Sequence, residues 1–233
     1  KSSKGTHYEL IATYVDDLCF ACDNPLEILK QLQSEPYNFK LKGSGEMEFH
    51  LGCGFGRDPD GTLFMDPGKY IEKMMDSYTQ LFGSKPRCRQ TPLVENDHPE
   101  IDESPLLEED GILKYQSMIG SLQWLISIGR WDIQTAVMTM SSFRAAPREG
   151  HLDRLKRIYG YVRKFPHFKI RFRTEAPDLT AYDNTKSFDW ATTVYGNCSE
   201  ELPDDAPEPL GSPVVLTHYF DANLLHNLVD GRS

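Results

Sequence analysis

The feature that most constrains this chain is a pair of adjacent carboxylates between two short apolar runs near its beginning. Residues 8–15 and 18–22 are rich in apolar and β-prone side chains, and Asp16 and Asp17 separate them. This pattern predicts a tight β-hairpin with both acids at its tip and with at least one buried face. Two neighbouring carboxylates repel each other unless a cation lies with them, which indicates a metal site. An exposed Asp-Asp turn is the simpler explanation of that pair alone.

Sequence periodicity and turn residues predict the remaining elements. These are a helix at 24–33, a hairpin at 47–64 that turns at 58–61, an amphipathic helix at 69–81, three helical stretches within 115–164, and a strand at 214–220. Residues 84–113 are rich in Pro, Asp and Glu and predict a linker. The predicted fold class is α+β.

The net charge of −10 is unevenly distributed along the chain. Residues 1–92 contain 11 Lys or Arg and 13 Asp or Glu, whereas residues 93–115 contain 1 and 8. Residues 116–174 contain 11 and 3, and residues 175–233 contain 2 and 11. A basic block between acidic segments is typical of polyanion binding, although a solvated helical surface also explains it.

Cysteine usage and hydropathy limit the cellular setting. The 5 cysteines show no framework spacing, which suits a reducing intracellular compartment. No apolar run approaches the roughly 18 residues that a membrane span requires. The sequence therefore predicts an intracellular protein without a membrane partner.

Tyr14 and Val15 directly precede the two acids, and Tyr-X-Asp-Asp at a hairpin tip is similar to the metal-binding signature of reverse transcriptases. Further landmarks follow in order: Phe39–Gly43 with Gly45, Phe49–Gly52, Gly68–Ile71, Thr91–Leu93, Tyr115–Leu122, Asp132 with Ile133, and the basic helix 151–164. Together they resemble the second half of a copia-type LTR-retrotransposon reverse transcriptase over residues 7–173, with a weaker match at 217–233. The family usually has Thr-Arg-Pro-Asp where this chain has residues 129–132, which leaves the geometry of that turn open.

The resemblance implies a domain order. It comprises part of a polymerase palm at 1–83, an acidic linker at 84–114, a basic helical thumb and connection at 115–174, an acidic Pro-rich linker at 175–212, and the start of a ribonuclease H-like domain at 213–233. Both ends resemble cuts within a longer Pol polyprotein.

The resemblance also implies two-metal nucleotidyl transfer. Asp16 and Asp17, beside Tyr14, would bind two Mg²⁺ together with an aspartate expected upstream of Lys1. Because that aspartate lies outside the sequence, the chain alone is expected not to polymerise. Asp221 corresponds to the first metal-binding carboxylate of an incomplete ribonuclease H site, or is a plain strand-end aspartate.

Several positions are expected to contact the primer–template. On the first predicted thumb helix, Gln116, Gly120 and Trp124 lie opposite an apolar face, where reverse transcriptases track the duplex minor groove. Trp124 could instead pack on a neighbouring helix. The other expected contacts are Leu51 and Gly52 as a primer grip, and Arg154, Arg157, Arg163 and Lys164 on the phosphate backbone.

Each of those groups has an ordinary alternative explanation. The Leu51-Gly52 pair could be a simple β-turn, and the basic residues could form a solvated helix face. Lys42 and Lys40 lie where a lysine could protonate the departing pyrophosphate, although a solvated lysine is the simpler explanation of either.

The implied function is that of a fragment of an RNA-directed DNA polymerase. Its partners would be an RNA or DNA template with primer, deoxynucleoside triphosphates and the rest of the Pol polyprotein, in a cytoplasmic virus-like particle with nuclear access. The alternatives are a catalytically dead remnant that at most binds nucleic acid, and a host protein that reuses the segment as a binding module. The motif residues are all in place, which favours function.

Overall fold

The structure is a computed structural model that describes residues 1–2, 4–175 and 203–211, together with 192, 194, 196, 228 and 229. Within this part of the chain, five α-helices and two antiparallel sheets confirm the α+β class. The chain divides into two compact units, one with residues 1–45 and 174–217 and the other with 46–173 and 218–233. Residues 46–83 pack with the helices that follow them and therefore belong to the second unit.

The first unit contains the expected hairpin. Strands β1 (Leu10–Tyr14) and β2 (Asp17–Ala21) are antiparallel, and Tyr14 pairs with Asp17 across the turn. Helix α1 (Pro25–Gln33) follows within the predicted range 24–33, with Asn24 at its N-cap position and Pro25 at its start. The expectation of a buried strand face is wrong in this structure, since every residue of β1 is exposed. The physical reason is that the two strands form a sheet of their own in the described part of the chain.

The second unit is built on a four-stranded antiparallel sheet in the order β3-β4-β5-β6. Its strands are β3 (Phe49–His50), β4 (Cys53–Arg57), β5 (Leu63–Asp66) and β6 (Ile170–Phe172). The hairpin predicted over 47–64 is therefore two successive hairpins. Leu51 and Gly52 have φ values of 51° and 91° and form an additional two-residue turn, because positive φ at both positions suits the right-handed twist of the flanking strands.

Four helices complete the described part of this unit: α2 (Gly68–Phe82), α3 (Glu109–Ser127), α4 (Gln134–Ser141) and α5 (Glu149–Lys164). The last three confirm the helical stretches predicted in 115–164, although α3 begins at Glu109, inside the segment described above as a linker. Their apolar faces meet in one core, whose fully buried members include Met118, Leu122, Leu125, Ile133, Val137, Met140, Leu155, Ile158 and Val162. None of the described helices is long and apolar enough to cross a membrane.

The segment 86–107, called the strap below, runs antiparallel along α5 rather than forming a loose linker. Its contacts with the α5 region pair Pro86 with Arg163, Arg89 with Gly160, Thr91 with Arg157, Asp97 and Asp102 with Arg154, Pro99 with His151, Ser104 with Gly150, and Leu107 with Pro147. The strap therefore belongs to the packed second unit.

Candidate functional site

The hairpin tip presents the two acids as the sequence predicted. Val15 and Asp16 form the two-residue turn between Tyr14 and Asp17, and Val15 adopts a φ of 55°. Tyr14 is 49% exposed, and Asp16 and Asp17 are exposed as well. The backbone pairing of Tyr14 with Asp17 holds the two carboxylates at one end of a short sheet, where solvent and ligands reach them.

The chemistry of these two side chains fits part of a magnesium site. Mg²⁺ prefers oxygen ligands and is usually held by one or two carboxylates, with waters and substrate phosphates completing its shell. Among the described residues, no third His, Cys, Asp or Glu groups with Asp16 and Asp17 as a potential ligand. The tip therefore offers two carboxylate ligands for a larger site.

A second group of potential ligands lies at the other end of the same hairpin, and the sequence reasoning missed it. His7 and Glu9 precede β1, and Asp23 follows β2, so the hairpin register brings them within 4.8 Å of one another. His7 Nε2 lies 3.4 Å from Asp23 Oδ1, and Glu9 accepts a hydrogen bond from the Asp23 backbone N–H at 3.2 Å. These contacts are a polar contact between two side chains and a strand-end hydrogen bond.

Helix α3 separates its two faces as the periodicity predicted. Met118, Leu122 and Leu125 are buried, whereas Gln116 and Gly120 are exposed and Trp124 is 39% exposed. No atom lies within 4 Å of a Cβ built on Gly120, so a partner can approach the helix backbone there. Gln116 is held in place by its Nε2 donating to the carbonyl oxygen of Arg144 at 3.0 Å.

The three α5 arginines that the sequence predicts to contact phosphates form hydrogen bonds within the chain. Arg154 donates to both carboxylate oxygens of Asp97 at 2.8 Å and to Asp102 at 2.5 Å. Arg157 donates to the Thr91 hydroxyl at 2.8 Å, and Arg163 donates to the carbonyl oxygen of Pro86 at 2.6 Å. These three guanidinium groups hold the strap, because the acidic segment lies next to the basic helix in the tertiary structure. Lys164 remains exposed.

The contacts between Arg154 and the two aspartates shift the pKa values of Asp102 and Arg154. Burial disfavours the charged Asp102 carboxylate, but hydrogen bonds from Ser104 and Arg154 outweigh burial and lower the pKa of Asp102 to about 2. The hydrogen bond with Asp97 raises the pKa of Arg154 above its ordinary value. The side chains of Arg154, Asp97 and Asp102 are only 22%, 11% and 10% exposed, so one guanidinium faces two carboxylates in a largely buried cluster.

The remaining residues that were predicted to belong to a functional site lie in different segments of the chain. Leu51 and Gly52 form the tight turn of the β3–β4 hairpin, and a Cβ on Gly52 would lie 3.4 Å from the side chain of Tyr70. Lys40 and Lys42 are exposed in a segment without regular structure between α1 and β3. Asp221 lies outside the described residues.

Comparison with known proteins identifies relatives along most of the chain. A transposon Ty5-1 protein of Saccharomyces cerevisiae is 26% identical over 209 residues, which cover 88% of this chain and 61% of that protein. The retrovirus-related Pol polyprotein from transposon RE1 of Arabidopsis thaliana is 29% identical over 189 residues, covering 81% of this chain and 12% of the polyprotein. The Pol polyprotein from transposon TNT 1-94 of Nicotiana tabacum is 26% identical over 183 residues. This chain is thus similar to transposon proteins, among them retrovirus-related Pol polyproteins.

The resemblance to copia-type retrotransposon polyproteins is thereby confirmed over most of the chain. The chain spans less than two thirds of the length of each of these relatives: 61% of the Ty5-1 protein, 12% of the RE1 polyprotein and 13% of the TNT 1-94 polyprotein. No family model matches the chain, and no solved structure matches it.

Proposed function

We propose that this chain is part of an RNA-directed DNA polymerase, a reverse transcriptase, within a transposon Pol polyprotein. The observation that carries the proposal is the β1–β2 hairpin, whose Tyr14-Val15-Asp16-Asp17 tip exposes two adjacent carboxylates. The similarity to retrovirus-related Pol polyproteins supports it, because it covers 81% and 76% of the chain in the two plant relatives described above. In this proposal residues 1–83 form part of the palm, and residues 213–233 begin a ribonuclease H-like domain.

Asp16 and Asp17 would hold Mg²⁺, joined by a third carboxylate that the resemblance places upstream of Lys1. When bound, two Mg²⁺ would supply activation of a primer 3′-hydroxyl and stabilisation of the leaving pyrophosphate. The chain's own contribution is to keep two oxygen ligands side by side at a turn whose backbone is set by the pairing of Tyr14 with Asp17. The substrates would be deoxynucleoside triphosphates on an RNA or DNA template with primer.

The exposed face of α3 is the proposed contact with the primer–template duplex. Gly120 leaves its backbone open to close approach, and Trp124 offers a large partly exposed ring one helical turn away. Gln116 completes the row with an amide that is already oriented by Arg144. Of the basic residues that the sequence assigned to the phosphate backbone, Arg163 and Lys164 are exposed, and Arg163 also donates to the carbonyl oxygen of Pro86.

Primer extension by a longer polyprotein that contains this chain tests the proposal. Asp17→Asn preserves the size of the side chain and removes its charge, so metal binding should weaken. We expect extension to fall by about 100-fold or more. Substitution of a residue that only hydrogen-bonds to a metal ligand already lowers metal affinity or activity by roughly 10- to 100-fold. Asp23→Asn, the same substitution at the other end of the hairpin, is the matched control and should extend normally.

Undiminished extension by Asp17→Asn would refute the proposed role of the hairpin tip. The competing proposal, a catalytically dead remnant, predicts a different result. In that case the parent polyprotein and both variants would fail to extend the primer while the parent still bound nucleic acid.

A further inference from the structure

One face of the four-stranded sheet points away from the core and carries aromatic side chains. Directly paired residues, and residues two apart on one strand, share a face of a sheet. The register therefore places Phe49, Gly54, Gly56, Phe64, Asp66 and Arg171 on this outer face. The opposite face contributes Cys53, Phe55 and Met65 to the core.

Both phenylalanine rings on the outer face have a lysine above them. Phe49 is 46% exposed, and Lys69 Nζ lies 4.8 Å from its ring centroid. The Phe64 ring lies over Gly56, where a Cβ would come within 2.7 Å of it, and Lys169 Nζ lies 3.7 Å from its centroid. Glycine at position 56 thus lets one ring lie flat on the sheet while its other side remains accessible to a long, flexible side chain.

The charge of this face favours an anionic partner. Within the described residues, Lys69 and Lys169 make no ion pair with a carboxylate, whereas Arg171 pairs with Asp58 at 2.5 Å. The acid on the face, Asp66, accepts a hydrogen bond from the Gly68 backbone N–H at 2.8 Å. Two lysines therefore remain available to bind phosphate groups beside two aromatic rings.

We propose that this outer face binds single-stranded nucleic acid, with bases stacked on Phe49 and Phe64 and with Lys69 and Lys169 moving from the rings to the phosphates. The strand spacing and the rise per residue place the Cα atoms of Phe49 and Phe64 roughly 12 Å apart. Stacked bases in a duplex lie about 3.4 Å apart and cannot reach separate rings, whereas a single strand can unstack between them. The surface is distinct from the Leu51-Gly52 turn and from the α3 face.

This inference rests on the proposed function, since it names a second nucleic-acid contact of the same protein. The test measures fluorescence anisotropy of the full 233-residue chain with two labelled probes, a thymidine oligonucleotide and a DNA hairpin duplex. Phe49→Ala and Phe64→Ala should each weaken oligonucleotide binding by roughly 5- to 150-fold, the range expected for loss of one base–aromatic stack. Phe39→Ala, at a phenylalanine outside this sheet that is 55% exposed, should leave binding unchanged.

Two further variants separate the two contacts and guard against misfolding. Phe64→Tyr retains the ring over Gly56 and should bind the oligonucleotide like the parent chain. Trp124→Ala should weaken duplex binding and spare oligonucleotide binding. Lys69→Ala with Lys169→Ala should reduce the salt dependence of oligonucleotide binding by about two phosphate contacts.

The outcomes are distinguishable. Oligonucleotide binding that survives both Phe→Ala substitutions, or that is absent while duplex binding persists, overturns the inference and leaves the proposed function standing. Oligonucleotide binding that depends on Phe49 and Phe64, without any duplex binding, supports the inference and contradicts the α3 contact. If neither probe binds, both the inference and the α3 contact are overturned.

Discussion

Arg154 illustrates how an arginine on a basic helix acquires a structural role. Its guanidinium lies between Asp97 and Asp102, which are 57 and 52 residues away in the sequence. Arg157, on the next turn of α5, has a buried Nε without a hydrogen-bond partner among the described residues. One hydrogen-bond donor on this face of the helix is therefore unpaired. Among the described residues, Arg154 is the α5 arginine that forms ion pairs with carboxylates of the strap.

At this scale we predict that Arg154→Met destabilises the second unit. Removing one partner from a largely buried ion pair leaves the other charge uncompensated, and we expect a loss of about 3 kcal/mol in the free energy of unfolding. Lys164→Met, a substitution at an exposed position of the same helix, should change it by less than about 0.5 kcal/mol. Urea denaturation followed by circular dichroism measures both, and equal effects would contradict the structural role of Arg154.

The pH dependence of unfolding provides a further readout of the same substitution. Since the pKa of Asp102 is lowered from 3.8 to about 2 in the folded chain, its contribution is complete above pH about 4 and is lost as the pH falls towards 2. Asp102 should contribute on the order of 2 kcal/mol across this window. Arg154→Met should reduce that dependence, whereas Lys164→Met should retain it.

At the scale of elements, the contact between α5 and the strap requires a residue without a side chain. The Arg89 backbone N–H donates to the Gly160 carbonyl at 3.1 Å, and a Cβ on Gly160 would overlap the carbonyl oxygen of Arg87. Glycine in a helix interior normally costs about 1 kcal/mol relative to alanine, so its presence here reflects the close approach of the strap.

We therefore predict opposite effects for the same substitution on two helices. Gly160→Ala should destabilise the chain by about 2 kcal/mol, because the strap must move away from α5. Gly120→Ala on α3 meets no neighbouring atom and should stabilise it by up to about 1 kcal/mol through helix propensity. Thermal unfolding of the two variants against the parent tests this, and a stabilising Gly160→Ala would show that the strap does not pack as described.

At the scale of the whole molecule, the two acids of the hairpin tip are too few for the proposed chemistry. Among the described residues no further acidic, histidine or cysteine side chain joins Asp16 and Asp17, whereas two-metal transfer holds ions on both the attacking and leaving oxygens.

The 233-residue chain by itself should accordingly fail to extend a primer in the presence of Mg²⁺ and deoxynucleoside triphosphates. A longer polyprotein that contains the same chain, assayed at equal concentration, is the positive control. Primer extension by the isolated chain, abolished by Asp17→Asn, would show that two carboxylates suffice and would contradict the need for a third.

Local patterns in the sequence determined much of the fold and part of the candidate site. The hairpin with Asp16 and Asp17 at its tip, α1, α2 and the opposing faces of α3 were all predictable, because each depends on turn residues or on side-chain periodicity within one element. The order of motifs also predicted the similarity to transposon Pol polyproteins, since short sequence motifs can be recognised without knowledge of tertiary contacts.

Only the tertiary structure determined which partners the charged side chains have and which strand faces are covered. The basic stretch of α5 reads as a phosphate-binding surface until the acidic strap lies against it, and the pairs that join them are separated by more than 50 residues. The exposure of β1 and the aromatic outer face of the β3–β6 sheet likewise depend on which strands become neighbours. Sequence periodicity sets the faces of an element, but what covers each face is settled by long-range packing, because burial and ion pairing depend on distance in space.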